Sequence, residues 1–156
     1  ASGHGAGDEP MAEIRVGHRA IAGSVAGGEL IVRMIDEIPA VCSLAAVCTG
    51  RTEIRDAAEL RVKESDRIAA MAQVLGAFGV SCEELPDGMV ITGGAPLRGA
   101  HVESRGDHRI AMSAALLGLL AEGETVIDGA EAVDTSFPGF VALMRSLGAN
   151  ITEESP

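Results

Sequence analysis

The chain has 156 residues, 47% of them apolar, and carries a formal net charge of −11 at pH 7. Its length and apolar content are sufficient for one domain with a hydrophobic core. The acidic charge and the lack of tryptophan and tyrosine argue against nucleic acid or an anionic membrane as the main partner. The longest apolar run, residues 110–121, is too short to cross a bilayer.

The cysteines and histidines show no metal-ligand spacing. Cys42 and Cys48 lie six residues apart, which places them off one face of a helix, and Cys82 is distant in sequence. We therefore expect no metal site. We interpret the cysteines as buried, reduced thiols of a cytoplasmic protein.

The start of the chain predicts a lead-in, two strands and a loop. Residues 1–10 contain Gly and Pro without apolar periodicity, so we interpret them as flexible. Strands are predicted at 12–16 and 30–34, separated by a Gly-rich loop at 23–28. Neither Gly-Lys-Ser nor Gly-Lys-Thr follows that loop, so it lacks the signature of a phosphate loop.

A helix is predicted from Asp36 to about residue 49. Asp36 suits its N-cap, Pro39 suits its first turn, and Gly50 suits its C-cap. Its predicted apolar face consists of Val41, Leu44, Ala45 and Cys48.

The later elements follow from the same signals. A helix is predicted to begin at an N-cap, Ser65 or Asp66, and to end at Gly79. The turn Pro86-Asp87-Gly88 between two apolar segments predicts a hairpin. The other predicted strands are 51–55, 80–84, 89–92, 101–103, 125–128 and a closing strand at 150–152. The other predicted helices are 110–120, opened by Asp107-His108-Arg109, and one from Ser136-Phe137-Pro138 to Gly148.

The segment 60–67 reads Leu-Arg-Val-Lys-Glu-Ser-Asp-Arg and contains Lys63, the only lysine of the chain. Arg67 falls in the first turn of the helix that follows, where the helix dipole disfavours a cation. Its position is understandable if an anion binds both Arg67 and the free N–H groups. The alternative is a surface salt-bridge cluster of Arg67 with Glu64 or Asp66, which would stabilise the protein little.

Two helix starts resemble one another at a spacing of 42 residues. Asp66-Arg67-Ile68-Ala69 aligns with His108-Arg109-Ile110-Ala111, and Asp36 precedes a third helix start. Helix starts built alike suggest repeated supersecondary units whose N-termini face one place. The alternative is that Asp occurs there only as a good N-cap, but that does not explain two arginines. Two arginines and Lys63 at helix N-termini favour a phosphate or carboxylate site.

Four motifs together resemble the 5-enolpyruvylshikimate-3-phosphate synthases. They are Leu-Arg-Val-Lys-Glu-Ser-Asp-Arg at 60–67, Gly-Asp-His-Arg-Ile-Ala-Met at 106–112, Asp-Glu-Ile-Pro at 36–39 and Ser-Phe-Pro-Gly-Phe at 136–140. Order and spacing agree from about Gly7 to the end. The enolpyruvyl transferases that act on UDP-N-acetylglucosamine share the fold but lack the stretch at 61–67.

The resemblance implies an α+β fold of the inside-out α/β barrel type. Repeated βαβαββ units form mixed sheets around helices, and helix N-termini point into a cleft between two domains. Residues 11–156 would be part of one domain, about two such units, and the opposite domain is absent. The family enzyme is roughly two and a half times as long, so the isolated chain is expected to be inactive.

The resemblance also implies an activity. The enzymes transfer the enolpyruvyl group of phosphoenolpyruvate to the 5-hydroxyl of shikimate-3-phosphate and release phosphate, on the route to chorismate and the aromatic amino acids. They need no metal or organic cofactor, and glyphosate competes with phosphoenolpyruvate. The implied partners are these two substrates and the missing N-terminal domain, in a monomer.

Five residues match the motifs of the family's site. The resemblance implies that Asp36 accepts the hydroxyl proton and binds shikimate-3-phosphate, which Lys63 also contacts. Arg67 and Arg109 would clamp phosphoenolpyruvate, and Glu64 would act in proton transfer at the enolpyruvyl methylene. Guanidinium groups suit carboxylate and phosphate bidentately, and fixed cations stabilise charge in a tetrahedral intermediate.

Two positions depart from the family pattern. Thr135 stands where many members carry a lysine, and Glu59 stands where many carry Asn. At these positions the family pattern does not predict one of the contacts to phosphoenolpyruvate and one of the contacts to the other substrate. The alternative function is a non-catalytic module that binds an anion or a protein on the same scaffold. The presence of all five matched residues favours the enzyme.

Overall fold

The computed structural model describes residues 3–4, 10–17 and 19–154 of the chain. Within those ranges no helix combines the length and the apolar character needed to span a membrane. The prediction of a flexible lead-in at 1–10 falls largely outside the described residues.

The described residues form eight strands, six α-helices and three short 3-10 helices, so the expected mixture of helix and strand is confirmed. The strands are β1 Gly3–His4, β2 Pro10–Met11, β3 Val25–Ala26, β4 Gly50–Ile54, β5 Ser81–Leu85, β6 Gly88–Gly93, β7 His101–Glu103 and β8 Val126–Asp128. The α-helices are α1 Glu29–Arg33, α2 Ile38–Val47, α3 Arg67–Ala77, α4 His108–Gly118, α5 Val133–Ser136 and α6 Phe140–Ser146. The 3-10 helices are Ile35–Glu37, Ala58–Val62 and Ala130–Ala132.

The main sheet has the strand order β3-β4-β6-β5. β3 and β4 are parallel, whereas β4, β6 and β5 pair antiparallel. Apart from the short α1 and the 3-10 helices, the chain order from β3 to β6 is strand, helix, strand, helix, strand, strand. β7, α4 and β8 then start a second arrangement of the same kind, in which β7 and β8 are parallel.

The core lies between the main sheet and helices α2, α3 and α4. The helix predicted to begin after Asp66 is confirmed as α3, and its apolar residues at helical spacing, Ile68, Met71, Leu75 and Phe78, are all fully buried. The predicted hairpin is also confirmed, with β5 and β6 paired from Leu85 and Gly88 outward. Packing of α3 against this hairpin holds the start of the helix at a defined place, next to the start of α4.

Two predicted strands near the beginning of the chain are wrong. Residues 12–16 have no regular structure, and Ile14 and Val16 are exposed. Residues 30–34 are mostly the helix α1, with only Ile31 buried. The strand that pairs with β4 is instead β3, and Gly28, at φ 62°, turns the chain before α1. Tertiary pairing therefore overrode the strand preference of this β-branched segment.

The caps predicted for the first long helix are also wrong. Asp36 lies in the 3-10 helix Ile35–Glu37, and Glu37 takes the N-cap position without a side-chain hydrogen bond. Pro39 does occupy the first turn, as predicted. The C-cap is Cys48, while Gly50, at φ 91°, opens β4. The predicted apolar face is correct in part, because Ala45 and Cys48 are buried whereas Leu44 is 47% exposed. The buried side also includes Ile38 and Cys42.

The predicted C-terminal elements differ from the structure. Ser136 ends helix α5, and α6 begins only after Gly139, whose φ is 80°. Pro138 lacks an N–H and restricts the residue before it, so Phe137 at φ −137° interrupts the helix. Residues 150–152 form no strand.

Candidate active site

Three helix starts meet at one place, as the repeated motifs predicted. Asp36 lies just before α2, Arg67 is the first residue of α3, and Arg109 is the second residue of α4. Asp66 caps α3 by accepting a hydrogen bond from the Ala69 N–H at 3.0 Å. Asp107 caps α4 by accepting from the Arg109 N–H at 3.0 Å. These caps satisfy N–H groups that would otherwise be free at the helix ends.

Arg67 lies at the centre of this meeting point, and its side chain is only 1% exposed. Its Nε donates to Asp107 Oδ2 at 2.9 Å, and its Nη1 donates to Asp36 Oδ1 at 3.0 Å. Its Nη2 donates to Glu64 Oε2 at 2.6 Å. A guanidinium so buried needs several carboxylate partners, because an unpaired buried charge is very unfavourable. The predicted surface salt-bridge cluster is therefore wrong in one respect: Arg67 is buried.

Lys63 and Arg109 both contact Asp36. Lys63 Nζ is 3.6 Å from Asp36 Oδ1 and also forms an ion pair with Glu59. Arg109 Nη1 donates to the backbone carbonyl of Asp36 at 2.7 Å. Both cations retain part of their surface, in contrast to Arg67. They are the cations of this group that an incoming anion could reach most directly.

The structure thus brings together all five residues that the sequence singled out. We call the charged cluster the set of these five and one further residue: Asp36, Lys63, Glu64, Arg67, Arg109 and Asp107. The cluster lies at helix starts, where N–H groups and the helix dipole favour anions. Of its carboxylates, Asp36 and Glu64 are about half exposed, at 43% and 53%, so they can contact a ligand.

Two residues around Arg67 were missed as site residues. Asp107 is fully buried against Arg67, and the Ser65 hydroxyl donates to Asp107 Oδ2 at 2.9 Å. From the sequence, Asp107 is identified only as a helix-start residue. The spacing of 42 residues aligns Ser65 with Asp107 as equivalent positions of the two helix starts, but equivalence in a repeat does not by itself indicate a contact.

Neighbouring charges shift the pKa values of several cluster residues. Burial raises the pKa of Asp36, but the more numerous contributions of Lys63, Arg109 and Arg67 outweigh it and leave the pKa below its ordinary value. Burial also raises the pKa of Asp107, yet hydrogen bonds from Arg67 and Ser65 leave it lowered. The hydrogen bond to Glu59 raises the pKa of Lys63. All three groups are therefore charged at neutral pH.

The two positions that depart from the family pattern lie in different surroundings. Glu59 contacts Lys63 and is thus adjacent to the charged cluster. Thr135 lies in α5 and donates its hydroxyl hydrogen bond to the carbonyl of Ala132 at 2.7 Å. In the described part of the chain, no group of three or more His, Cys, Asp or Glu side chains is arranged to hold a metal ion.

Chemically, the charged cluster offers two kinds of group in one place. Asp36 and Glu64 are ionisable carboxylates with access to solvent, suited to accept or deliver a proton. Lys63 and Arg109 are partly exposed cations suited to bind phosphate or carboxylate. Such an arrangement can bind an anionic substrate and move a proton beside it.

Comparisons with known proteins agree with one another. The family model described as EPSP synthase (3-phosphoshikimate 1-carboxyvinyltransferase) matches residues 3–144. A 3-phosphoshikimate 1-carboxyvinyltransferase of Pelotomaculum thermopropionicum is 56% identical over 141 residues, and one of Geobacter sp. strain M21 is 54% identical over 136 residues. The alignments cover 90% and 87% of this chain. The chain spans only about a third of these relatives' length, 33% and 32%.

Solved structures support the same relationship. An EPSP synthase from Acinetobacter baumannii superposes with a TM-score of 0.84 at 40% sequence identity. The superposition covers 87% of this chain and 32% of that one. The inside-out α/β barrel type of fold expected from the motifs is thereby confirmed for the matched region.

Proposed function

The chain belongs to the EPSP synthase family, and from that premise we propose that it forms part of an enolpyruvyl transferase. The reaction transfers the enolpyruvyl group of phosphoenolpyruvate to the 5-hydroxyl of shikimate-3-phosphate and releases phosphate. The observation that carries this proposal is the charged cluster. Side chains from positions 36 to 109 meet at three helix starts, with solvent access for two carboxylates and two cations.

Asp36 is the proposed base for the 5-hydroxyl proton. It is half exposed and has Lys63 within 3.6 Å, which keeps the carboxylate ionised and ready to accept a proton. The same lysine contacts shikimate-3-phosphate in this proposal. Glu64, also half exposed, exchanges a proton at the enolpyruvyl methylene.

Arg67 and Arg109 are the proposed phosphoenolpyruvate clamp. Arg109 keeps part of its guanidinium accessible, while Arg67 presents Nη1 and Nη2 to Asp36 and Glu64. Phosphoenolpyruvate would therefore bind Arg109 directly and would compete with Asp36 and Glu64 for the Arg67 donors. Fixed cations here stabilise the negative charge of the tetrahedral intermediate.

The proposed partners are the two substrates and the remainder of the enzyme. The curated relatives are about three times as long as the matched region, so other chain segments would complete the site. We place residues 11–156 in one domain, as about two βαβαββ units, and the opposite domain outside this chain. The proposed enzyme is cytoplasmic and monomeric, and it requires no metal or organic cofactor.

The test uses a hybrid enzyme. In the hybrid, the aligned residues of this chain replace the matching third of the Pelotomaculum thermopropionicum relative. We expect the hybrid to release phosphate from phosphoenolpyruvate only when shikimate-3-phosphate is present, at a rate comparable to the unmodified relative. The 156-residue chain by itself is expected to bind phosphate or phosphoenolpyruvate weakly without turnover, because positioning needs groups from both sides of the cleft.

Two outcomes would contradict the proposal. A hybrid that folds but turns nothing over, while the unmodified relative does, would favour a non-catalytic module that binds anions. Turnover by the 156-residue chain by itself would show that the remainder of the enzyme is not needed for chemistry.

A further inference from the structure

We infer that Asp107 is a positioning residue of the phosphoenolpyruvate site, whose one carboxylate orients Arg67 and, through the start of α4, Arg109. The inference rests on the proposed function, because it assigns Asp107 to the substrate clamp of that reaction. Asp107 has no exposed surface, so it acts through the arginines and not on the substrate.

Each oxygen of Asp107 accepts two hydrogen bonds. Oδ2 accepts from Arg67 Nε at 2.9 Å and from the Ser65 hydroxyl at 2.9 Å. Oδ1 accepts from the Arg109 backbone N–H at 3.0 Å and, more weakly, from Arg67 Nη2 at 3.4 Å. A carboxylate with all its acceptor positions used in a buried site has a single orientation.

Asp107 binds only one edge of the Arg67 guanidinium. Nε and Nη2 form that edge, whereas Nη1 and the second Nη2 hydrogen are directed to Asp36 and Glu64. The partners on the far side are half exposed, but Asp107 is buried. Asp107 thus fixes the side of Arg67 that faces the core and leaves the other donors directed toward the accessible carboxylates.

The cap of α3 provides a matched comparison. Asp66 caps its helix as Asp107 caps α4, with a 3.0 Å bond to a backbone N–H, and it also pairs with an arginine. Its partner is Arg61, which further bonds Glu84 and the carbonyls of Pro86 and Leu85 and is not in the charged cluster. Removing the charge of either aspartate therefore perturbs a helix cap similarly, but only Asp107 holds Arg67.

The experiment compares Asp107→Asn with Asp66→Asn in the hybrid enzyme. Asn keeps a carbonyl oxygen that can accept the hydrogen bond of the helix cap. Its NH2 group takes the position of Oδ2, so a donor would face the Nε–H of Arg67 where an acceptor is needed. We expect Asp107→Asn to raise the KM for phosphoenolpyruvate by at least about tenfold, as for loss of a charged hydrogen bond. The KM for shikimate-3-phosphate should change by less than about threefold, and Asp66→Asn should change both constants by less than about threefold.

Ser65→Ala serves as a second variant in case Asp107→Asn does not fold. It removes one donor to Asp107 Oδ2 and keeps the charge, so a rise of about threefold in the KM for phosphoenolpyruvate is expected. An unchanged KM in Asp107→Asn, or in Ser65→Ala if the former is unfolded, would overturn the inference. Equal effects of Asp107→Asn and Asp66→Asn would also overturn it, since they would indicate a capping effect.

A second measurement separates this inference from the proposed function. Hydrogen exchange of the Arg67 Nε–H can be followed by NMR in the 156-residue chain, without turnover. Slow exchange in the parent and in Asp66→Asn, with fast exchange in Asp107→Asn, would support the positioning of Arg67 even if the hybrid were inactive. Equally slow exchange in parent and Asp107→Asn would overturn it, whatever the activity of the hybrid.

Discussion

Arg67 and Asp107, 40 residues apart in sequence, form an ion pair of 2.9 Å in which neither side chain is more than 1% exposed. Each of these two residues belongs to the start of a different helix, α3 or α4. Their contact therefore holds the two helix starts next to each other within the charged cluster. Breaking it affects both the stability of the fold and the geometry of the site.

The first prediction concerns this pair and stability. Arg67→Met leaves Asp107 as a buried carboxylate without its cation, so we expect a loss of about 3–5 kcal/mol in the free energy of unfolding. Adding Asp107→Asn removes the uncompensated charge and retains a helix cap, so the double variant should be more stable than Arg67→Met. Urea unfolding of the 156-residue chain measures both. Additive losses in the double variant would show that the two residues are not coupled.

The second prediction concerns the accessible arginine. Arg109→Ala in the hybrid enzyme should raise the KM for phosphoenolpyruvate far more than the KM for shikimate-3-phosphate, because Arg109 is the accessible half of the proposed clamp. We expect the same direction for Arg67→Ala, accompanied by lower stability. Arg105→Ala is a matched control, since Arg105 contacts Gln73 away from the charged cluster. Equal effects of Arg109→Ala on both substrates would mean that its role is assigned wrongly.

The third prediction concerns the proposed base. Asp36→Asn should lower the turnover of the hybrid by on the order of 100- to 10,000-fold, because an amide cannot accept the hydroxyl proton. Its stability should fall by less than about 1 kcal/mol, since Asp36 is half exposed and does not cap α2. Initial rate and thermal midpoint are measured on one sample.

Asp128→Asn is a suitable control for this measurement, because the exposed side chain of Asp128 pairs with His101 between strands β7 and β8. An Asp36→Asn variant that works within a few-fold of the parent would leave Asp36 without a catalytic role.

The fourth prediction concerns the cation beside Asp36. Lys63 is among the groups that lower the pKa of Asp36. Lys63→Met should therefore raise that pKa and move the acidic limb of the pH–rate profile of the hybrid to higher pH. An acidic limb that stays in place would mean either that Lys63 has no influence on the base or that another group sets the limb.

The fifth prediction concerns acid stability. The pKa values of Asp36, Asp66 and Asp107 are all lowered by folding, although burial alone would raise each of them. Their contribution to stability is therefore fully present above the unfolded-state value of about 3.9 and is lost as the pH falls through the folded-state values. Urea midpoints measured from pH 7 to pH 2.5 should decline mainly below about pH 4.

Asp107→Asn lacks one of these groups, so its midpoint should depend less on pH over the acidic range than that of the parent. A parallel decline in both proteins would show that Asp107 contributes nothing to the acid sensitivity.

Local sequence signals determined several of the helices and turns of this protein. The stripe at Ile68, Met71, Leu75 and Phe78 repeats at helical spacing, and an aspartate precedes each of the helices α3 and α4 as a cap. Turn residues around Asp87 marked the hairpin. The motifs resembled one family, which the comparisons confirm. The arginines in the first turns of α3 and α4 predicted an anion site, because a cation is disfavoured at a helix start without an anionic partner.

Only the tertiary structure decided which segment became the edge strand and which partners Arg67 acquired. The preference of residues 30–34 for a strand is local, but β3 already occupies the position beside β4, and a segment without a hydrogen-bonding partner cannot remain a strand. Likewise, the charges of Arg67 and Asp107 are evident in the sequence, but their burial is not. Burial requires that α3 and α4 pack with their starts together. This packing places Arg67 and Asp107, which could have lain on the surface, in a buried ion pair within the charged cluster.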